Sequence, residues 1–194
     1  MFNDTASPAT LLATRRSGKP RDMVAPGPDA AQLRHILSAA IRVPDHGKLA
    51  PWRFLVIGEA ARDDFAALLH EAYCAAKPGP GRVEVLAVED FARQAPALVV
   101  AISSPVTTSH IPLWEQELSC GAACMNLLTA AHAQGFVGGW LTGWATYSEP
   151  VATGLGLTSH EKIAGFIFLG TPSRDLEERP RPDYERVVSE WSRS

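Results

Sequence analysis

The chain has 194 residues, 46% of them hydrophobic and 20% charged, and carries a formal net charge of −3. That length and balance suit one domain able to bury a sizeable core, and the slight acidity argues against a nucleic-acid or anionic-membrane binder. Three cysteines, Cys74, Cys120 and Cys124, form no disulfide framework and fit a reducing compartment. The first residues show no charged start followed by an apolar run, and no hydrophobic segment follows Arg15-Arg16. No signal peptide is therefore read, and the expected location is cytoplasmic. Residues 8–14 read as a short helix that delivers the chain to Arg15-Arg16-Ser17. A loop rich in Gly and Pro spans 18–28. Asp29 is a good N-cap, and Gln32 is placed for the reciprocal bond of a capping box. Leu33, Ile36, Leu37, Ala40 and Ile41 share one helical face, and Pro44 marks the end.

Residues 42–58 then turn through Asp45, His46, Gly47 and Lys48 and leave through Pro51 and Trp52. Two prolines and a glycine stiffen this loop, and Arg42, His46 and Lys48 crowd it with donors, a setting suited to a binding site. The competing reading is an ordinary connection with solvated charges. Phe54 to Ile57 form a continuous apolar run, as expected of a strand covered on both faces. Residues 60–76 repeat helical spacing through Phe65, Leu68, Leu69 and Ala72. Residues 78–88 hold no strong signal, Pro78-Gly79-Pro80-Gly81-Arg82 reads as a mobile surface loop, and 90–95 as one helical turn. Leu98 to Ile102 is the second clear strand.

Pro112 suits the first turn of a long helix, closed near Gly135 as a C-cap. Its later part is small and apolar nearly all round, which predicts a buried central helix packed on a partner subunit. The weakly polar run 120–131 is too short to span a bilayer and contains Asn126. A glycine-laced extended segment covers 136–143, a short helix 149–156, and a third apolar strand 163–169. A tail rich in proline and arginine ends in Tyr184 to Trp191, read as an edge strand. Three apolar strands separated by helices predict a sheet covered by helices on both sides.

Several motifs bear on chemistry. Two guanidinium groups and a hydroxyl at Arg15-Arg16-Ser17 suit a phosphate, although an isolated Arg-Arg is more often a solvated pair. Trp140-Leu141-Thr142-Gly143 could line a flat ligand or bury a core tryptophan. Gly154-Leu155-Gly156 lacks the third glycine and preceding strand of a dinucleotide fingerprint. No Gly-x-Ser-x-Gly elbow occurs. Cys120 and Cys124 share a helical face without further ligand spacing, so core packing is expected and no metal site. His35, His70, His110, His132 and His160 have no local partner motif and read as structural.

Taken together the pieces resemble the nitroreductase family of flavin enzymes. They are Arg15-Arg16-Ser17, Arg42-x-Pro44-Asp45-His46-x-x-x-x-Pro51-Trp52-x-Phe54, and Trp114-Glu115-Gln116-Glu117. Gln134-Gly135-Phe136-x-Gly138-Gly139 and Gly165-Phe166-x-x-Leu169-Gly170-Thr171-Pro172 come later in the chain. The Pro-Asp-His version and the Trp-Glu-Gln-Glu helix are similar to the small YdjA-type branch.

The resemblance implies an α+β fold: a central mixed sheet covered by helices on both faces, in one FMN-binding domain over 1–194. It implies a homodimer, with the tail 173–194 embracing the partner and FMN at the interface. It places Arg15, Arg16 and Ser17 on FMN from one subunit and Arg42 and His46 from the other. Trp140, Leu141 and Thr142 would touch the flavin or its ribityl chain. Lys19 stands where some members place a lysine near flavin N1 and O2, and Arg179 and Arg181 resemble a basic pair used on the phosphate. Ala130, Ala131, His132, Ala133, Gln134 and Gly135 correspond to a segment assigned to NAD(P)H. Lys48 and Ala50 stand where many members carry Asn and Gln, a departure that bears on pyrimidine-edge recognition.

The implied activity is ping-pong. NAD(P)H delivers hydride to flavin N5, and a nitroaromatic, quinone or similar small acceptor is then reduced. The flavin carries the chemistry, so no side chain need be a nucleophile. The alternatives are a flavin carrier or sensor without reductase activity, a flavin-fragmenting enzyme, and a structural dimer whose basic loop binds nothing.

Overall fold

The computed structural model describes residues 2–193. Helix α1 (Pro8–Thr14) starts where Ser7 accepts from the Thr10 N–H and the Thr10 hydroxyl returns a bond to the Ser7 backbone, with Pro8 supplying a preset φ. The short strand β1 (Met23–Val24) comes next. Helix α2 (Ala30–Ala40) carries the capping box expected at Asp29 and Gln32, with bonds of 2.8 and 2.9 Å. Strand β2 (Trp52–Ile57) leads to α3 (Arg62–Ala76) and α4 (Arg82–Arg93), then to β3 (Ala97–Ser103). The long helix α5 (Leu113–Ala133) has Pro112 as its N-cap and ends in a turn through Gly135, whose φ of +85° suits glycine. Strand β4 (Val137–Leu141), α6 (Glu149–Gly154), β5 (Lys162–Pro172) and α7 (Tyr184–Val187) complete the order.

Strand β5 is the centre of the sheet. One of its edges pairs with β3, which pairs onward with β2. The other edge pairs with β4 through Phe166 to Gly170 and with β1 through Thr171 and Pro172. Alternate residues of the same strands feed two cores. Leu98, Val100, Phe166 and Phe168 meet α3 and α4, while Val99, Ala101, Ile167 and Leu169 meet α2 and α5. Covering both faces is what makes these strands read as unbroken apolar runs.

Three expectations need correction. The sheet is not mixed: every pairing among the described residues is antiparallel. Strands β3 and β4 do run the same way, joined by the single crossover helix α5, but β5 is inserted between them. The loop is confined to 78–81. Residues 82–88 belong to α4, where Val88, Phe91 and Ala92 join the core shared with α3 and the Glu84 carboxylate caps the Gly81 N–H at 3.0 Å. The tail from Tyr184 forms one helical turn, Tyr184–Val187, instead of an edge strand, and Tyr184, Val187, Val188 and Trp191 pair with none of the described strands. All four are exposed.

Candidate functional site

Strand β4 is built to let a neighbouring backbone approach. The Gly18 N–H donates to the Gly138 carbonyl at 3.1 Å. A Cβ on Gly139 would stand 2.6 Å from the Gly18 carbonyl oxygen, and one on Gly138 would stand 2.6 Å from Leu128 Cδ2. The glycines therefore seat the segment from Arg15 to Lys19 directly against the strand. Beyond β5 the chain returns over the same place. The backbone N–H and hydroxyl of Ser173 both donate to the Asp22 carbonyl, and Arg174 pairs with Asp22 at 3.3 Å. A cleft of about 320 Å³ results, with Arg15, Ser17, Lys19, Met23, Val137 and Arg181 among its walls.

This cleft is cationic, and its cations are partnered unequally. Arg16 donates Nε to Glu178 Oε1 at 2.7 Å and Nη2 to the other carboxylate oxygen. Its Nη1 donates to the carbonyls of Ala13 and Arg15 at 3.2 and 3.0 Å. The Arg16 fork and the Arg179 N–H hold the Glu178 carboxyl down to about 2. Lys19 holds both oxygens of Glu177 at 2.9 and 3.0 Å, which keeps that carboxyl below its usual range. Arg15 has no carboxylate partner among the described residues and donates Nη1 to Ser17 Oγ at 3.3 Å. Burial, then the charges of Arg181 and Arg16, lower its pKa.

His132 lies beneath this group, fully buried, with Nδ1 3.2 Å from the Phe136 carbonyl. A carbonyl only accepts, so Nδ1 carries the proton and the Nε2 lone pair has no partner among the described residues. Burial first and Arg15 second push its pKa down to about 4.

The structure thus brings Arg15, Arg16, Ser17, Lys19 and Arg181 together. It does not bring Arg42 and His46 to them within one chain. Exposed His46 pairs with Glu115 at 2.7 Å in the first turn of α5, whereas Arg15 lies by His132 in its last turn. The 17 residues from Glu115 to His132 at ~1.5 Å rise each put about 25 Å between the two places. Trp140 is 38% exposed and donates Nε1 to the Ala164 carbonyl at 3.0 Å, lying close over Gly165. Leu141 packs half-buried toward the α3–α4 core. Thr142 lines a second, apolar cavity of about 400 Å³ with Tyr73, Phe91, Trp144 and Phe166. Of the 130–135 segment, Ala131 and His132 are buried, Ala130 and Gln134 are half-buried, and Ala133 and Gly135 are exposed. Among the described residues no group of three or more His, Cys, Asp or Glu is arranged to hold a metal ion, and no helix is long and apolar enough to cross a membrane.

Sequence reasoning missed Glu177 and Glu178. The available signal was an acidic pair set directly before the basic pair of the tail. It also missed Glu115 as the partner of His46.

The Nitroreductase family model matches residues 12–171. The chain belongs to the nitroreductase family. It is 37% identical over 162 residues to the Escherichia coli K12 protein named "Putative NAD(P)H nitroreductase YdjA", covering 84% of this chain and 86% of that one. Its fold matches a nitroreductase-like family protein from Bacillus cereus with a TM-score of 0.79 at 20% identity, over 95% of both chains. It also matches the FMN- and NADPH-dependent nitroreductase NfnB of Sphigopyxis sp. strain HMH, with a TM-score of 0.74 at 18% identity over 96% of this chain and 99% of that one. The matched family region carries Arg15, Ser17, Lys19 and the β4 glycines, and it ends before the tail that brings Arg181 to them.

Proposed function

We propose that this protein is an FMN-dependent oxidoreductase that takes reducing equivalents from NAD(P)H and passes them to a small flat acceptor, a nitroaromatic or a quinone. The observation that carries the reading is the Arg15–Arg181 pair. Arg15 and Arg181 line one cleft beside the Ser17 hydroxyl, and Arg15 has no carboxylate partner among the described residues. Such forked donors suit a bound dianion, and a flavin phosphate fits that description. The names of the relatives support the same reading: the Escherichia coli protein is named for NAD(P)H, and NfnB for FMN and NADPH.

In this reading Arg15, Ser17 and Arg181 hold the phosphate, and the glycine-backed strand β4 seats the Arg15–Lys19 segment that presents two of them. Lys19 offers a cation to the flavin pyrimidine edge, where negative charge grows on reduction. Further along the strand Trp140 would face the cofactor, while Leu141 packs toward the core and Thr142 lines the second cavity. FMN, when bound, supplies the hydride chemistry at N5, so the protein contributes orientation and charge. Within the 130–135 segment only Ala133 and Gly135 have open surface for a nucleotide.

Arg42 and His46 serve the site of a second copy. Support comes from the distance of His46 from Arg15 and from an apolar stripe on α5 and α2. Trp114, Leu118, Met125 and Ile41 are 67, 53, 37 and 54% exposed, a face suited to a partner helix. The tail with its exposed Tyr184, Val187, Val188 and Trp191 would lie on that partner. The free cysteines suit a cytoplasmic setting.

The test is flavin uptake and then anaerobic titration with NADH and with NADPH, watched by flavin absorbance. A reductase bleaches with at least one nucleotide and recovers its colour on adding a quinone. A carrier or sensor stays yellow throughout. A protein that takes up no FMN refutes the reading.

A further inference from the structure

We propose that Arg16 and Glu178, with Lys19 and Glu177 beside them, form a clasp that builds the anion site by holding Arg181 against Arg15, so that Arg16 is a positioning residue and not a ligand of the phosphate. The inference rests on the FMN reading for the identity of the anion.

An arginine offers five N–H groups in a fixed fork, and those of Arg16 are largely committed. Two of its nitrogens face the Glu178 carboxylate and the third is bonded to two backbone carbonyls. The Arg16 side chain is only 12% exposed. Little of its fork is left to meet a phosphate. Arg15, one residue earlier, has a single side-chain bond, to Ser17.

The clasp also constrains the residues beyond it. Glu178 Oε1 accepts from the Arg179 N–H at 2.7 Å, which fixes the direction in which the chain leaves. Pro180 and Pro182 flank Arg181. Each proline fixes its own φ and restricts the residue before it. Little conformational freedom remains between the clasp and the Arg181 side chain, so the position of Glu178 largely decides that of Arg181.

Charge points the same way. Arg179 and Arg181 must approach a segment that already carries Arg15, Arg16 and Lys19. Unaided, that approach is repulsive at separations below the screening length, about 8 Å in physiological salt. Glu177 and Glu178 sit immediately before the two arginines and pair with Lys19 and Arg16. They offset two of the cations and leave Arg15 without a carboxylate partner among the described residues. The opposite idea makes the two glutamates tethered competitors of the ligand. That idea requires them to bond Arg15, and they do not.

The experiment compares wild type with Glu178→Gln, Arg16→Gln and the exchanged pair Arg16→Glu/Glu178→Arg. FMN and riboflavin affinities are read by flavin fluorescence. The clasp predicts that each single variant weakens FMN about tenfold, the lower end for one charge-assisted bond lost indirectly. Riboflavin, which lacks the phosphate, should be unaffected. The exchanged pair should recover FMN binding, and Arg181→Ala added to Glu178→Gln should weaken it little further. In flavin-free protein, trypsin should cut after Arg174 faster in Glu178→Gln than in wild type. Tighter FMN binding by Glu178→Gln would overturn the clasp in favour of a tethered competitor. Equal losses for FMN and riboflavin would reduce the pair to general stability. Unchanged FMN affinity in Glu178→Gln, with loss in Arg181→Ala, would show that Arg181 reaches Arg15 unaided. If wild type binds no FMN the cofactor reading fails, while the trypsin comparison still decides whether the clasp holds the tail.

Discussion

His132 should make this protein acid-sensitive in a window of its own. In the folded chain its pKa falls from the ordinary 6.5 to about 4, chiefly through burial and secondarily through Arg15. A histidine with a depressed pKa is neutral in the fold and takes up a proton more readily when unfolded. Its contribution is therefore fully present above pH 6.5 and is lost as pH falls toward 4, below which no further loss accrues. The gap is about 2.5 units at about 1.36 kcal/mol each, so the loss approaches about 3 kcal/mol, an upper bound. The carboxyls of Glu84, Glu161, Glu177 and Glu178 are lowered from 4.5, so their contributions begin to fall only near pH 4.5, at the foot of that window and equally in wild type and variant. The assay is urea unfolding of flavin-free protein between pH 7.5 and 4.5, with His132→Asn beside wild type. Asparagine keeps a donor for the Phe136 carbonyl but cannot titrate. Its smaller volume lowers stability at every pH by about 1–3 kcal/mol. That cavity effect displaces the curve without changing its slope. Near pH 5 wild type should lose up to about 1.4 kcal/mol per pH unit more than the variant. Parallel curves would refute the reasoning and mean that His132 reaches water in solution.

Gly139→Ala should weaken FMN without removing any cation, because the new methyl would press on the Gly18 carbonyl and lift the Arg15–Lys19 segment; FMN titration reads it, and wild-type affinity would mean the segment can retreat freely. Lys19→Met should make bound flavin harder to reduce while leaving the fold intact, since Lys19 is exposed and, among the described residues, paired only with Glu177; an unaltered reduction potential would remove it from the pyrimidine edge. Arg15→Ala should lower FMN affinity by about 1.5–3 kcal/mol, and unchanged affinity would place the phosphate elsewhere. Co-expressed Arg15→Ala and His46→Ala chains should recover up to about a quarter of wild-type sites, since half of randomly formed dimers are mixed and each holds one intact site of two; if each variant alone is inactive and no activity returns, the shared-site model is wrong.

The parts of the fold legible in the sequence are those whose signal is local. The Asp29–Gln32 capping box, the apolar runs of β3 and β5 and the glycine closing α5 each arise from a few adjacent residues. Helix α4 was hidden because Pro78-Gly79-Pro80-Gly81 precedes it and because Val83, Val85 and Val88 are weak helix formers. What stabilises it is tertiary. Buried Arg62 at the start of α3 donates to the carbonyls of Ala92 and Gln94, closing the end of α4, and Lys77 and Tyr73 meet the Glu84 carboxylate near its beginning. The insertion of β5 between β3 and β4 was equally hidden. Hydrophobic runs report that a strand is covered, and carry no information about which strand lies beside it.

The site shows the same division more sharply. Arg15, Ser17 and Lys19 stand within five residues, so their type and spacing could be read together. Arg181 lies more than 160 residues further along the chain and meets them only because β5 ends where β1 begins, with the Asp22 carbonyl taking up Ser173. The charge pattern of the tail makes sense only at that meeting. Glu177-Glu178 before Arg179-Pro180-Arg181 looks in sequence like a self-neutralising exposed run, yet in the fold the acids face Arg16 and Lys19 and leave Arg181 with Arg15. Neutralising some cations of a cluster and sparing others is what separates a binding site from a charged surface: full pairing would leave nothing for an anion, and no pairing would repel the tail that completes the site. Arg42 and His46 carry the same logic beyond one chain. Arg15 and His46 lie at opposite ends of α5, and only a second copy of that helix, packed on its apolar stripe, would bring the two ends together.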